Sequence, residues 1–209
     1  MGETVRVNNL PEGMADDAHA SWPPRELIDS FPGNFPHDFE WRPGETIEVD
    51  GEEAQTRARL FRDVLGRYAS GVTVVTTMAG GQPTGMTCQS FTSVSLDPPL
   101  VAFLPTGQSR AFAAIRRAGT FCVNFLSDGQ ADLSNQFASS RDDKFDGVEW
   151  TATAGTGSPL LARIVGHVDC TVHAVHEAGD HFLVIGKVVD LAVGDADDPL
   201  LYYRGAYRT

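Results

Sequence analysis

An antiparallel β-barrel carrying short helical inserts is the fold this sequence predicts, and three observations carry the prediction. First, β-branched and aromatic runs (Val72–Thr77, Leu100–Leu104, Thr120–Leu126, Phe182–Val193) recur at close spacing between Gly, Pro and Asp residues. Second, only three short segments between them have helical periodicity. Third, no Gly-x-Gly-x-x-Gly joins a strand to a helix: GGQPTG (Gly80–Gly85) and GTGSPL (Gly155–Leu160) have the wrong spacing and no helical pattern after them. That excludes the usual doubly wound dinucleotide-binding sheet.

The chain has 209 residues, enough for one domain with its own core and an additional arm. Its net charge of −12 argues against nucleic acid or an anionic membrane as a partner. Residues 1–50 hold eleven acids and three basic residues, so most of that charge sits there. The same stretch contains half of the twelve prolines, interleaved with Trp22, Phe31, Phe35, Phe39 and Trp41. Proline at this density forbids long helix or central strand, and five large aromatics argue against plain disorder. Residues 1–51 are therefore expected to form an arm that docks on the body or on a second subunit, with the folded domain at 52–209. Cys88, Cys122 and Cys170 are odd in number and far apart, as buried free thiols of a reducing compartment are. No signal peptide or apolar run of membrane length is present, so a cytoplasmic location is expected.

Within the domain, a helix is expected from Glu52, with Phe61, Val64, Leu65 and Tyr68 on its inner face and Gly71 closing it. Strand Val72–Thr77 turns at AGGQPTG into a run rich in hydroxyls and amides, and Asp97-Pro98-Pro99 leads into strand Leu100–Leu104. Ser109 caps a helix bearing Phe112 and Ile115 that Gly119 ends. After strand Thr120–Leu126, Ser127 caps a second helix with Leu133 and Phe137 inward. His167, Asp169, Thr171 and His173 alternate with Val168, Cys170, Val172 and Ala174, as in a strand with one polar face. HEAGDH turns the chain into Phe182–Val193, and LYYRGAYR forms a last short strand.

The polar run Thr87–Ser95 has two readings: an edge strand facing water, or a cradle for a flavin, whose ring wants donors along its polar edge and a flat apolar support. Ser109 and Arg110 at a helix start are an ordinary cap or a phosphate site. Lys144, beside Phe145, is part of a solvated turn or closes over a phosphate. His181 is an exposed hairpin residue or an imidazole against a nicotinamide or a reduced flavin. His167, Asp169 and His173 lack a further ligand at correlated spacing, so no metal is expected. No Gly-x-Ser-x-Gly elbow supports a serine nucleophile.

LGRYASGVTVVTT, CQSFTSVSLDPPLVAF, PTGQSRAFAAI, AGTFCVNFL, DKFDGVEW, GDHFLVIGKV and PLLYYRGAY follow one another from Leu65 to Tyr207, within a stretch that begins at about Leu60. In that order they resemble the small flavin reductases that serve two-component flavin-dependent monooxygenases. The resemblance implies a split β-barrel homodimer binding FMN or FAD, with NADH or NADPH as hydride donor and a flavin-dependent oxygenase receiving reduced flavin by diffusion. It further implies that Thr87, Cys88, Gln89 and Ser90 line the ring and ribityl chain, that Ser109 and Arg110 approach the phosphate, and that Asn124 and Lys144 contribute. His181 would take the catalytic position, bordering the nicotinamide with Tyr203, Arg204 and Tyr207. A flavin storage or electron-transfer protein and a split-barrel reductase acting directly on a small molecule are the alternatives. The arm departs from the family's pattern, since members begin near the helix that includes Leu60.

Overall fold

Apolar residues fill whole strands rather than alternate positions wherever a strand is covered on both faces, and that pattern shows where the sheet is buried. In the computed structural model, which describes residues 51–208, Val72, Val74, Val75, Phe121, Cys122 and Val123 are all nearly inaccessible. They lie on β2 (Thr73–Ala79) and β6 (Thr120–Phe125), or beside them, near the middle of a seven-stranded sheet. Its other strands are β3 (Gln82–Cys88), β4 (Thr92–Leu96), β5 (Pro99–Phe103), β9 (Gly166–Ala178) and β10 (His181–Val193), in the order β3-β2-β6-β9-β10-β5-β4 with neighbours antiparallel. The two edge strands, β3 and β4, are consecutive in the chain. Gln89–Phe91 alone joins them, so the sheet curls until its edges lie within about 14 Å of each other along the chain. They do not pair, and the barrel is not closed by hydrogen bonds.

Curvature has a local cause. The β9–β10 ladder slips register twice, at Ile185/Gly186 and Val188/Asp190, and such bulges bend long strands. A Cβ at Gly186 would lie 2.3 Å from the Phe121 ring, so only glycine lets the bend close over that side chain. Phe103 and Phe121 meet edge to face inside the curl, at 5.1 Å between centroids. Helix α2 (Arg110–Ala118) adds Phe112 and Ile115 to this core. Helix α3 (Ala131–Ala138) drives Phe137 into a second core with Val72, Val74, Leu126 and Leu200.

Local signals hold where expected. Ser109 caps α2, accepting from the Phe112 N–H at 3.2 Å, and Gly119 ends it in the left-handed conformation at φ 69°. Ser127 forms a capping box with Gln130 before α3, through a short 3₁₀ turn at Asp128–Gln130. Elsewhere the reading is corrected. Helix α1 (Glu52–Leu65) stops at Gly66, leaving Tyr68 beyond it and Gly71 in the two-residue strand β1 (Ser70–Gly71). Its expected inner face is open: Phe61, Val64 and Leu65 are more than half exposed. The last strand is a hairpin of β11 (Leu201–Tyr203) and β12 (Ala206–Arg208) around Arg204-Gly205, and β11 pairs with β1. The hairpin β7 (Trp150–Ala152) and β8 (Pro159–Leu161) was not anticipated. Its loop covers Asp169, which accepts from the Thr156 N–H at 2.8 Å and the Thr156 hydroxyl at 2.6 Å, so the expected polar face of β9 is partly interior. The thiols of Cys88, Cys122 and Cys170 are free and buried, as expected. The arm assigned to residues 1–51 lies, apart from Gly51, outside the described residues. No helix among those described is long and apolar enough to cross a membrane.

Candidate functional site

Where β3 ends, Gln89, Ser90 and Phe91 leave the sheet at the corner between its two edges. Ser90 pins that corner: its hydroxyl accepts from the Leu104 N–H at 2.9 Å and lies 3.3 Å from the Leu104 carbonyl and 3.1 Å from the Cys88 sulfur. Burial pushes the Cys88 thiol pKa up, which keeps it a neutral, apolar floor. Phe91 packs against Phe125 with the rings tilted, at 5.2 Å between centroids. Gln89 differs from its neighbours, because its Nε2 is buried and has no hydrogen-bond partner among the described residues. A buried amide donor left open costs free energy unless a ligand accepts from it.

The tip of the β9–β10 hairpin is tied to the turn that opens α2. The Phe182 N–H donates to the Pro105 carbonyl at 2.9 Å, the Gly107 N–H to the Asp180 carbonyl at 3.1 Å, and Thr106 bridges His181. Gly107 permits the approach, since a Cβ there would lie 3.1 Å from the Phe182 ring. His181 therefore comes to the same end of the fold as Ser109 and Arg110. Its Nδ1 lies 2.7 Å from Asp180 Oδ1, which orients the imidazole. Ser109 is 5% exposed and also lies 3.2 Å from the Met86 sulfur, so its hydroxyl is turned inward. Arg110 is held by the Asp142 carboxylate and the Ser140 carbonyl.

A second group forms around α3. The Thr87 hydroxyl donates to the Ser134 carbonyl at 2.6 Å, and the Tyr207 hydroxyl lies 2.9 Å from Ser134 Oγ and 2.8 Å from Asn135 Oδ1. Lys144 is 5% exposed, its ammonium donating to the carbonyls of Phe137 at 2.9 Å and Gly85 at 3.4 Å. Desolvation pulls its pKa down to about 7. Thr87 thus meets the second group through Ser134, and Ser90 holds Leu104, the residue before the Pro105 carbonyl that accepts from Phe182. Arg204 is turned toward α1, its N–H donating to the Gly66 carbonyl at 2.8 Å. No hydrogen bond, ion pair or ring contact among the described residues joins His181 to Tyr203, Arg204 or Tyr207.

Asn124 belongs to neither group. It is fully buried, and its amide serves the Val74 carbonyl, the Thr76 hydroxyl and the Leu161 N–H at 3.1, 3.1 and 2.9 Å. Both ends are occupied within the core, which gives a cofactor role no support. Leu104, Asp180 and Ser134, which position the named residues, escaped the sequence reading: no spacing marks the Leu104 N–H or the Ser134 carbonyl as a partner, and the Asp180 carboxylate lies beside His181 in a turn where aspartate is common. The run Thr87–Ser95 also divides: Thr92–Leu96 is the edge strand of the bland reading, and the corner before it holds the open donor.

A strongly coiled antiparallel sheet with helical inserts, a polar corner carrying an amide donor open among the described residues, and a hairpin histidine define the class. The flavin reductase like domain matches residues 65–209, and the chain belongs to that family. It is similar to the reductase subunit HsaB of a flavin-dependent monooxygenase from Rhodococcus jostii, 47% identical over 149 residues, 71% of this chain and 76% of that one. Among solved structures, a nitrilotriacetate monooxygenase component B homologue from Mycobacterium thermoresistibile gives a TM-score of 0.71 at 48% identity, covering 75% of this chain and 87% of its own. The NADH:FAD oxidoreductase SgcE6 of Streptomyces globisporus, solved with NAD and FAD fragments, gives 0.69 at 35% identity, over 78% of this chain and 96% of that one.

Proposed function

We propose that this chain is an NAD(P)H:flavin oxidoreductase that passes reduced FMN or FAD to a separate flavin-dependent monooxygenase. The observation that carries the reading is the corner at Cys88–Phe91, where the Gln89 amide is a buried donor without an acceptor among the described residues, in a chain of the flavin reductase like family. The relatives named for flavin reduction and for monooxygenase partners support the same conclusion.

The flavin, when bound, supplies the chemistry: it takes a hydride from the nicotinamide and departs reduced. The chain supplies position. Gln89 would donate to a polar atom of the ring, the neutral Cys88 would lend it an apolar neighbour, and Ser90 keeps the corner fixed against Leu104. Thr87 lines the ribityl side. His181, oriented by Asp180, is assigned to the nicotinamide together with Tyr203, Arg204 and Tyr207, although no hydrogen bond or ring contact joins these three to it among the described residues. Ser109, Arg110 and Lys144 are assigned to the phosphate side, although the Ser109 hydroxyl is turned to Met86, the Phe137 and Gly85 carbonyls hold Lys144, and Asp142 competes for Arg110. A site with so few free charges releases its flavin readily, as a diffusing carrier requires.

The active form in this reading is a split-barrel homodimer in the cytoplasm, formed by residues 52–209, with residues 1–51 as an arm. Exposed apolar side chains on β4 (Val94, Leu96) and on the second half of β10 (Val189, Leu191, Val193) support a second copy across the open barrel edge. Purified protein given FMN or FAD with NADH or NADPH in air tests the function. Catalytic nicotinamide oxidation supports it, and tightly retained flavin without oxidation would replace it with a storage role.

A further inference from the structure

Leu60, Phe61, Val64 and Leu65 share one stripe of α1, and each is more than half exposed. A helix of 14 residues draws most of its stability from a covered apolar face. The end of this one is fastened to the β11–β12 turn, where the Arg204 N–H donates to the Gly66 carbonyl at 2.8 Å. Beside the stripe runs an open groove of about 620 Å³ lined by Arg59, Arg62 and Arg204, and Leu60 belongs to both. Asp63 is the one carboxylate among the described residues that line it. Among the described residues, neither Arg59 nor Arg204 has a carboxylate within ion-pair distance. In a chain of net charge −12, such a group of cations runs against the background.

The stretch of chain that leads into α1 carries the complement of both features. Residues 33–50 hold five acids (Asp38, Glu40, Glu45, Glu48 and Asp50) and one basic residue, Arg42. Asp38 and Glu40 alternate with Phe39 and Trp41, and Glu48 and Asp50 with Ile47 and Val49. An extended path through such a pattern turns carboxylates to one side and apolar side chains to the other. We propose that residues 33–50 dock along α1, with their apolar side chains on the stripe and their carboxylates over the arginine groove. Leu60, at the border of the two, lets one extended segment serve both. Carboxylates and guanidinium groups pair through charge-assisted hydrogen bonds. Nine residues separate Trp41 from Gly51, a reach of up to about 33 Å, and α1 is about 21 Å long. The segment can therefore run back over the whole helix. A second copy fits this face less well, because a two-fold contact centred here brings the groove's arginines toward their own copies. Docking here is independent of what the corner at residues 88–91 binds.

The test uses the full chain with Phe39→Ser/Trp41→Ser, with Arg59→Gln/Arg62→Gln, and with Arg117→Gln as a control for charge lost elsewhere. Glutamine suits an exposed helix, and amide exchange in β2 and β6 at the wild-type level is expected to show an intact sheet in all three. Exchange along residues 60–65 is expected to quicken about tenfold in Phe39→Ser/Trp41→Ser. Chymotrypsin, which cuts after Phe39 and Trp41, is expected to act about tenfold faster on Arg59→Gln/Arg62→Gln than on wild type or Arg117→Gln. Wild-type chain cut as fast as the double arginine variant overturns the proposal. So does exchange along α1 that Phe39→Ser/Trp41→Ser leaves unchanged. Exchange there that instead quickens on dilution of the wild type gives the face to a second copy, which also overturns it.

Discussion

Lys144 holds its ammonium between the carbonyls of Phe137 and Gly85, and loss of water pulls its pKa from the usual 10.5 to about 7. The unfolded chain therefore binds one more proton at this residue between those values. Stability rises with pH across that window, since folding makes Lys144 give up a proton and that costs less as pH rises. Lys144→Met removes the titration, so the difference in melting temperature between wild type and variant is expected to change from pH 7 to pH 10, wild type gaining. Parallel melting curves across that range would show that Lys144 titrates as an exposed lysine. Ser109 was legible as a cap because its partner, Phe112, is three residues away. Thr87 and Asn124 were not, because Ser134, Val74 and Leu161 are distant in sequence and only the folded sheet brings them near.

Helices were legible by their ends, where local chemistry decides, as at Ser109, Gly119 and Ser127. Helix α1 misled because its apolar residues imply a covered face, and among the described residues Phe61, Val64 and Leu65 remain exposed. The final segment was read as one strand because Arg204 occupies a turn position where Asn or Gly would have announced a hairpin. The packing of α3 on β3 depends on Gly85, where a Cβ would meet the Phe137 ring at 2.9 Å and the Val75 carbonyl at 3.0 Å. Gly85→Ala forces α3 outward and with it Ser134, the partner of Thr87. A stability loss of about 1–3 kcal/mol in denaturant unfolding is expected, as for other overpacked cores. An unchanged midpoint would mean that α3 shifts freely and does not fix the corner.

Strand existence and antiparallel class were readable from the recurrence of β-branched runs, while sheet order was not, since register among seven strands depends on non-local pairing. The order β3-β2-β6-β9-β10-β5-β4 puts the two edges next to each other in the chain, and that places Gln89 at an open corner. The apolar residues on β4 and β10 predict that a second copy covers this side. Sedimentation equilibrium is expected to give twice the 22.5 kDa chain mass, and Leu96→Lys with Val193→Lys to shift it toward monomer. A wild-type monomer at all concentrations would remove the dimer from the account. In the proposed function this corner holds a flavin while a nicotinamide reduces it. Anaerobic mixing of the protein with NADH and excess FMN or FAD addresses it most directly, read as loss of the flavin's visible absorbance. Catalytic bleaching of flavin far beyond the amount of protein, with at least one of the two flavins, is the predicted result. Flavin that stays oxidised with both flavins and with both NADH and NADPH would contradict it.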